Sequence, residues 1–171
     1  MAKNIQDLRS MTAPPQRAYE FEVEIVGLST GSEEGLTTRA QSVSIPATSN
    51  EAIEINYKSR KTYFSGRDSS SNTVSISFLD DENFTAYNYF QKWNDDLINN
   101  PVTGGGTTRA LYTATVLIKT MAGDDETVTS TTRLLNAFPT EIGEMSMSYD
   151  TNQQVTFDVT IQYDQKLFEP V

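Results

Sequence analysis

The stretch of sequence that decides the fold is residues 134–164, which read LLNAFPTEIGEMSMSYDTNQQVTFDVTIQYD. After a proline-bearing turn, apolar and polar residues alternate along two segments joined at Asp150-Thr151-Asn152, a pattern typical of a β-hairpin. The apolar residues expected on the two strands are Met145, Met147 and Tyr149, and then Val155, Phe157, Val159, Ile161 and Tyr163. The pattern predicts a hairpin that closes a β-rich domain.

The same alternation occurs upstream. Tyr19, Phe21, Val23 and Ile25 alternate with Glu20, Glu22 and Glu24, which indicates a strand with one face in water. Further strands are predicted in residues 36–45, 53–66, 74–78, 110–121 and 127–135, the first of them returning beside the opening strand. Together these segments predict a mainly antiparallel β fold with one α-helix, arranged as a sandwich or small barrel.

One segment has helical periodicity. The residues that lie three or four apart on its apolar face are Ala86, Phe90, Trp93 and Leu97. Asp80 or Asp81 is expected to cap the start of this helix, and Asn99-Asn100-Pro101 to end it. We interpret the apolar face as core packing and not as a cofactor site.

Composition narrows the functional classes. The length of 171 residues favours one domain, predicted at residues 18–171 after a flexible or partner-ordered N-terminal arm at residues 1–17. The chain contains neither Cys nor His, which excludes disulfides, serine–histidine and cysteine–histidine catalysis, and histidine-containing zinc sites. No segment has the apolar length of a membrane span or the pattern of a signal peptide, so we expect synthesis in a cytoplasm and no membrane partner. No metal ion or cofactor is expected.

Several clusters could carry chemistry, and each has a simpler structural explanation. Asp80-Asp81-Glu82 and Asp124-Asp125-Glu126 lack the spacing of a calcium loop and are typical of a helix start and a turn. Gly104-Gly105-Gly106 lacks the lysine of a phosphate-binding loop and indicates a flexible connection. Glycosidases draw their carboxylate pair from different elements around a cleft, so the acidic residues of segment 20–24 favour a wet sheet face. We therefore predict that the protein is not an enzyme.

A basic cluster stands out in this acidic chain. Its members are Lys58, Arg60, Lys61 and Arg67, interleaved with Tyr57, Tyr63 and Phe64. Such a segment can contact phosphate and stack on bases. However, the chain has a formal net charge of −10 and as a whole repels nucleic acid. Pairing of the cluster with an acidic surface on an identical neighbour is the favoured interpretation.

Three segments resemble the tail tube proteins of contractile-tailed bacteriophages. They are SVSIPATSNEAIEINYKSRKTYFSGRD at residues 42–68, NTVSISFLDDENFTAYNYFQKW at residues 72–93, and the closing segment at residues 134–164. The first has a strand ending in an Ile-Pro step and then a hairpin with a basic tip. The second has an acidic helix start and the pair Phe90 and Trp93. The order and spacing of the three segments, which cover about half of the chain, make the resemblance specific.

The resemblance implies a structural virion protein of the tail, made in the host cytoplasm. Its subunits are expected to form hexameric rings, each giving about four strands to one barrel, and the rings to stack into a tube that DNA traverses without specific binding. The implied partners are the tail sheath protein, a baseplate tube initiator and a tail terminator. The hairpin residues expected to contact a neighbouring subunit or ring are Tyr57, Lys58, Arg60, Lys61, Tyr63 and Arg67.

Alternatives remain open at this point. A baseplate tube initiator, or the inner tube of a non-viral contractile injection device, has the same expected fold. From a different class, a monomeric β-sandwich binding module could use Tyr57, Tyr63, Tyr87 and Tyr89 as a platform for a sugar. A hydrolase built on the acidic residues of segment 20–24 is the third alternative. A monomeric state and a shallow aromatic site would favour the binding module.

Overall fold

The computed structural model describes residues 16–28, 36–123, 127–150 and 153–170. In chain order the strands are β1 (Phe21–Val26), β2 (Ala40–Val43), β3 (Asn50–Tyr57), β4 (Arg60–Asp68), β5 (Thr73–Leu79), β6 (Ala114–Met121), β7 (Val128–Ile142), β8 (Thr156–Gln162) and β9 (Gln165–Pro170). The principal helix, α1 (Thr85–Lys92), continues as a π-helical segment over Trp93–Ile98. A single-turn helix, α2 (Arg109–Tyr112), precedes β6, and a 3-10 turn (Thr37–Arg39) precedes β2. The predicted N-terminal arm, residues 1–17, lies outside the described residues except for its last two.

Antiparallel pairing joins seven strands into one sheet, in the order β1-β6-β7-β8-β5-β2, with β9 also paired to β7. The long strand β7 belongs to two half-sheets. Its residues 128–137 pair with β6, residues 130–135 also pair with β9, and residues 138–142 pair with β8. The first half-sheet is therefore β1-β6-β7-β9, and the second is β7-β8-β5-β2.

A β-bulge marks the point where β7 passes from one half-sheet to the other. The β6–β7 register shifts opposite Leu135 and Asn136, and Asn136 has a φ of 54°. Extra residues in one strand bend it and increase its twist. The Asn136 side chain donates to a carboxylate oxygen of Asp164, which follows β8 and also pairs with Arg109. The bulge is thus tied to the turn between β8 and β9.

Both half-sheets direct their apolar faces into one core. Representative residues are Val23 on β1, Ile118 on β6, Ile76 on β5 and Val159 on β8, all buried. Burial of a large apolar side chain contributes about 1.5–3 kcal/mol. Because a one-residue slip would turn these side chains into water, the period-2 pattern sets the strand register.

Helix α1 packs on this core through the predicted apolar face. Ala86, Phe90 and Trp93 are 0% exposed and Leu97 is 8% exposed. The Phe90 ring lies 5.0 Å from the ring of Phe78 on β5.

The two aspartates before the helix supply its missing hydrogen-bond acceptors. The Asp80 carboxylate accepts 3.0 Å hydrogen bonds from the main-chain N–H groups of Ala86 and Tyr87. The Asp81 carboxylate accepts from Thr85 N–H at 3.0 Å, and the Arg39 guanidinium lies 2.7 Å from it. These bonds satisfy N–H groups that have no partner within the helix.

The predicted fold class is confirmed: the protein is mainly antiparallel β with one principal helix. Within the described residues the strands do not close a barrel.

The predicted closing hairpin is wrong. Residues 145–149 do not form a strand, and β8 pairs instead with residues 138–142 of β7 and with β5. Pro139 lies within β7 and not in a turn. The register of the β7–β8 pairing shifts between Pro139 and Glu141, and an irregularity of this kind tolerates a residue without an N–H. Thr151 and Asn152 of the predicted turn lie outside the described residues.

Other strands also differ from prediction. The strand predicted at residues 110–121 begins at Ala114, because α2 occupies the preceding residues and removes Tyr112 from the strand. The strand predicted at residues 36–45 shortens to β2 and pairs with β5 and not with β1. Strand β9 was not predicted, and the turn predicted at residues 124–126 lies outside the described residues.

Candidate assembly surface

The segment predicted as one strand at residues 53–66 belongs instead to two paired strands, β3 and β4, which form a sheet of their own, separate from the seven-stranded sheet. This is the hairpin that the resemblance implies within residues 42–68. Its strands are joined at Lys58-Ser59, where Lys58 has a φ of 53°. Residues that pair across the two strands point to the same face of the hairpin. The two faces differ in polarity. Two-stranded hairpins are marginal in water without further packing. The hairpin is therefore a candidate site for contact with another molecule.

One face of the hairpin is apolar. Ile53 pairs with Phe64, and Ile55 pairs with Thr62. Ile53, Ile55 and Phe64 are 52%, 51% and 55% exposed. Clustered apolar residues exposed in this way mark interaction sites.

The opposite face of the hairpin is polar. Glu54 pairs with Tyr63 and forms a 2.8 Å ion pair with the Lys61 ammonium. Hydrogen bonds from Lys61, and then from Asn56, hold the pKa of Glu54 below its usual range. The charged groups Glu54 and Lys61 on this face are paired with each other, so the face is suited to contact with water.

The six predicted contact residues all lie on this hairpin, and all are exposed. Tyr57 and Arg60 are directly paired beside the turn, and the Lys58 ammonium lies 5.5 Å from the Tyr57 ring centroid. Lys61 and Tyr63 occupy the polar face. Arg67 lies near the base of β4. The hairpin thus brings these residues onto one projecting element, but onto two faces of it.

The hairpin segment at residues 57–67 and the rest of the chain have opposite charge. Residues 57–67 contain four of the 13 basic residues and none of the 23 acidic residues, which leaves a formal charge of −14 on the remainder. A basic tip and an acidic body can attract each other between copies of the chain.

The outer face of the second half-sheet is rich in hydroxyl and carboxylate groups. It borders an open cleft of about 640 Å³ whose lining includes Ser75, Ser77, Glu141, Glu144, Asp158 and Thr160. The Ser77 hydroxyl is hydrogen-bonded to the Asp158 carboxylate. None of the residues that line the cleft is basic. This surface presents negative charge and small polar groups to solvent.

The outer face of the first half-sheet balances its charges. The Lys119 ammonium lies 2.6 Å from a Glu24 carboxylate oxygen and 3.7 Å from one of Glu22. The hydrogen bond that Lys119 donates to Glu24 raises the pKa of Lys119 despite partial burial. Glu20 is buried and approached by Arg17 at 3.3 Å. Sequence reasoning identified the acidic residues but not Lys119, whose position depends on the β1–β6 register.

The four tyrosines of the possible sugar platform do not come together. Tyr57 and Tyr63 are on opposite faces of the hairpin. Tyr89 is a buried residue of helix α1, and the Tyr87 ring packs edge-on at 5.4 Å from Phe157. The part of the chain that the structure describes has no group of three or more acidic residues placed to hold a metal ion. Its helices include none that is long and apolar enough to cross a membrane.

Two strand edges of the second half-sheet are open to further pairing. β2 pairs only with β5 among the described strands, and residues 138–142 of β7 pair only with β8. Exposed edges are templates for pairing with another chain. The two open edges and the exposed apolar face of the β3–β4 hairpin are therefore candidate surfaces for association with another chain.

Comparison with known proteins identifies the family of the chain. Residues 10–169 match the model of the phage tail tube protein family. The chain is similar to tail tube protein gp19 of Enterobacteria phage T4, with 28% identity over 147 residues that cover 84% of this chain and 86% of that protein. The corresponding protein of Enterobacteria phage T6 gives the same identity and coverage. The chain therefore belongs to the phage tail tube protein family.

Solved structures have the same fold. One is from the sheath–tube complex of an extracellular contractile injection system, PVC, in the extended state, with a TM-score of 0.69, 16% identity, and 99% of this chain and 100% of that chain covered. Another is from the tube-terminating cap of the anti-feeding prophage, with a TM-score of 0.68, 16% identity, and 95% and 99% covered.

The family confirms the predicted role. The protein is a structural subunit of a tail tube, and tail tube proteins are components of the virion tail, assembled after synthesis in the host. A structural role of this kind suggests that the protein is not an enzyme.

Proposed function

We propose that the chain forms hexameric rings that stack into the inner tube of a contractile tail, and that phage DNA passes through this tube into the host. The observation that supports it most directly is the second half-sheet, which has open edges on both sides. Its tail partners are the sheath protein, a baseplate tube initiator and a tail terminator. The solved structures of similar fold come from assemblies described as a sheath–tube complex, a tube-terminating cap and a baseplate.

The second half-sheet supplies the barrel wall. It contains four strands, β2, β5, β8 and the end of β7. If residues 138–142 of one subunit pair with β2 of the next, the interface is head-to-tail and closes into a ring. A ring of six such units makes a barrel wide enough for an aqueous channel.

The polar outer face of this half-sheet lines the channel. Asp158 and Glu141 lie there among serine and threonine hydroxyls. Six copies have a formal charge of −60, six times −10. Because a negative wall repels phosphate, DNA slides through without adhering.

The hairpin contacts a neighbouring subunit or ring. Its residues Tyr57, Lys58, Arg60, Lys61, Tyr63 and Arg67 are exposed, and the adjoining apolar face gains free energy when covered, about 25 cal/mol per Å². The basic tip favours an acidic body as the surface that it meets. An identical subunit offers such a surface.

Electron microscopy of the concentrated purified protein tests the proposal. Hollow rings or stacked tubes with six-fold symmetry are expected. Monomers at every concentration, also after addition of a matching baseplate to nucleate assembly, would exclude it and favour the binding module.

The inner tube of an injection device is the second candidate, supported by the fold shared with PVC. Analysis of isolated particles distinguishes the two: a tail attached to a DNA-filled head supports the phage tube, whereas headless particles with protein cargo support the device. A baseplate initiator differs in abundance, because it forms one ring per particle.

A further inference from the structure

We propose that Lys166, on the C-terminal strand β9, is a positioning residue that fixes the orientation of the β3–β4 hairpin relative to the sheet. The Lys166 ammonium donates 2.6 Å hydrogen bonds to the main-chain oxygen of Pro46 and to the hydroxyl of Thr48. Both acceptors belong to the connection between β2 and β3. Lys166 therefore joins the base of the hairpin to a strand more than 100 residues away in sequence.

The hairpin needs such a tie because, among the strands that the structure describes, β3 and β4 pair only with each other. Its base is closed by contacts within the hairpin itself: the N–H of Ser69 donates to the oxygen of Ser49 at 2.8 Å, and the two hydroxyls lie 3.0 Å apart. Those bonds hold the two strands of the hairpin together but do not set the angle between the hairpin and the seven-stranded sheet. The bonds of Lys166 set this angle, because β9 is itself paired to β7 of that sheet.

The surroundings of Lys166 favour a charged donor. The side chain lines a cleft of about 320 Å³ between the hairpin base and the β8–β9 turn, which also includes Asp68 and Tyr163. The pKa of Asp68 is lowered mainly by hydrogen bonds from Ser70, and the positive charge of Lys166 lowers it further. Hydrogen bonds from an ionised donor are roughly twice as strong as neutral ones. A neutral side chain of the same length cannot replace them.

The strand that carries Lys166 is anchored next to the junction of the two half-sheets. Lys166 pairs with Leu134 of β7, which is completely buried. The hairpin angle thus depends on the C-terminal strand and, through β7, on the same sheet that carries the open edges. The consequence for assembly rests on the proposed function, whereas the positioning itself does not.

Spin labels test the positioning directly, since the chain has no native cysteine. Labels at Ser59→Cys in the hairpin turn and Asp96→Cys at the end of the helical segment, both exposed positions, report the distance between hairpin and body. Pulsed electron resonance is recorded for the parent, Lys166→Met and Lys92→Met, each diluted with its own unlabelled form. Lys92 is an exposed lysine on α1 and serves as the matched control.

A single narrow distance distribution is expected for the parent and for Lys92→Met, and a broader, shifted one for Lys166→Met. Thr48→Val removes one of the two acceptors of Lys166 at an exposed position and is also expected to broaden the distance distribution. This variant keeps the test informative if Lys166→Met fails to fold. Unchanged distributions in folded variants would overturn the proposal whether or not tubes form. A broadened distribution in a variant that still forms normal tubes supports the positioning role and counts instead against the hairpin as an assembly contact.

Discussion

The indole N–H of Trp93 donates a 2.8 Å hydrogen bond to the main-chain oxygen of Tyr112. This bond ties the π-helical segment after α1 to the short helix that precedes β6. The Trp93 side chain is fully buried and stacks on Phe90, with ring centroids 6.2 Å apart. One side chain therefore combines core packing with the positioning of a connection.

Replacement of Trp93 by Phe removes both contributions. The oxygen of Tyr112 is left without this donor, and a void opens where the indole was, so we expect a loss of about 2–4 kcal/mol in the free energy of unfolding. Urea denaturation measures it. Tyr112→Phe keeps the main-chain acceptor and is the control, with an expected change within about 0.5 kcal/mol. Equal losses of unfolding free energy in the two variants would show that the hydrogen bond from Trp93 does not account for the loss of stability.

Gly106 cannot accept a side chain, although its neighbour can. A Cβ atom on Gly106 would clash with the main-chain oxygen of Ile98, whereas one on Gly105 would meet nothing closer than 4.0 Å. Gly106→Ala is expected to lower stability by about 1–3 kcal/mol, because the loop must move off the helical segment. Gly105→Ala is expected to leave the melting temperature unchanged or slightly raised. Calorimetry of the two variants makes the comparison, and equal melting temperatures would contradict it.

Asp81 makes stability depend on pH at the acid end. The hydrogen bond from the N–H of Thr85, and then that from Arg39, hold the pKa of Asp81 far below its usual range. A carboxyl whose pKa is lowered by folding stabilises the protein above its unfolded pKa, about 3.9, and this contribution is lost as the pH falls below that value. Asp81→Asn is expected to melt lower than the parent at pH 7, with a difference that shrinks below about pH 4.

Thermal melts of the parent and the variant between pH 2 and pH 7 test the assignment, at pH values chosen around the unfolded pKa. Asp96→Asn, at an exposed position, is the control and is expected to follow the parent at every pH. A difference for Asp81→Asn that stays constant over the whole range would indicate a loss of packing and not of charge.

Charge reversal at the hairpin tip is expected to separate assembly from folding. Lys58→Glu combined with Arg60→Glu changes two exposed residues, so the melting temperature should stay close to that of the parent. Tubes should be lost or shortened in electron micrographs, because the tip then repels an acidic neighbour. Lys92→Glu, on the helix surface, is the control for net charge. Intact tubes in the hairpin variant would remove the basic tip from the contact.

The sequence was informative where structure depends on local periodicity. The stripe of Phe90 and Trp93 and the alternation of Val74, Ile76 and Phe78 place those residues in the core because helices and strands have fixed repeats. Periodicity also predicted a strand at residues 53–66, but the turn at Lys58-Ser59 that divides it into a hairpin was implied only by the family resemblance. Residues 145–149 alternate as well, yet β8 pairs elsewhere, because the longer strand β7 supplies an edge that a local pattern cannot reveal.

Contacts between distant segments were not predictable. Lys119 lies between Glu22 and Glu24 only because β1 pairs with β6 in one register. Lys166 reaches Pro46 only because β9 pairs with β7. Neither lysine belongs to a motif, and no pattern near it in the chain indicates its partner. Such residues are found from strand pairing, which long-range packing decides.

The sharing of β7 between two half-sheets has a consequence during protein synthesis. The second half-sheet has β8 as an inner strand, between β5 and the end of β7, and the first half-sheet is completed by β9. Both strands follow β7 in the chain, and pairing between segments far apart in sequence is slow to form. A nascent chain that ends before residue 156 can make neither the second half-sheet with its two open edges nor the bonds of Lys166. The order of the strands thus delays the open edges of this half-sheet until β8 has been synthesised.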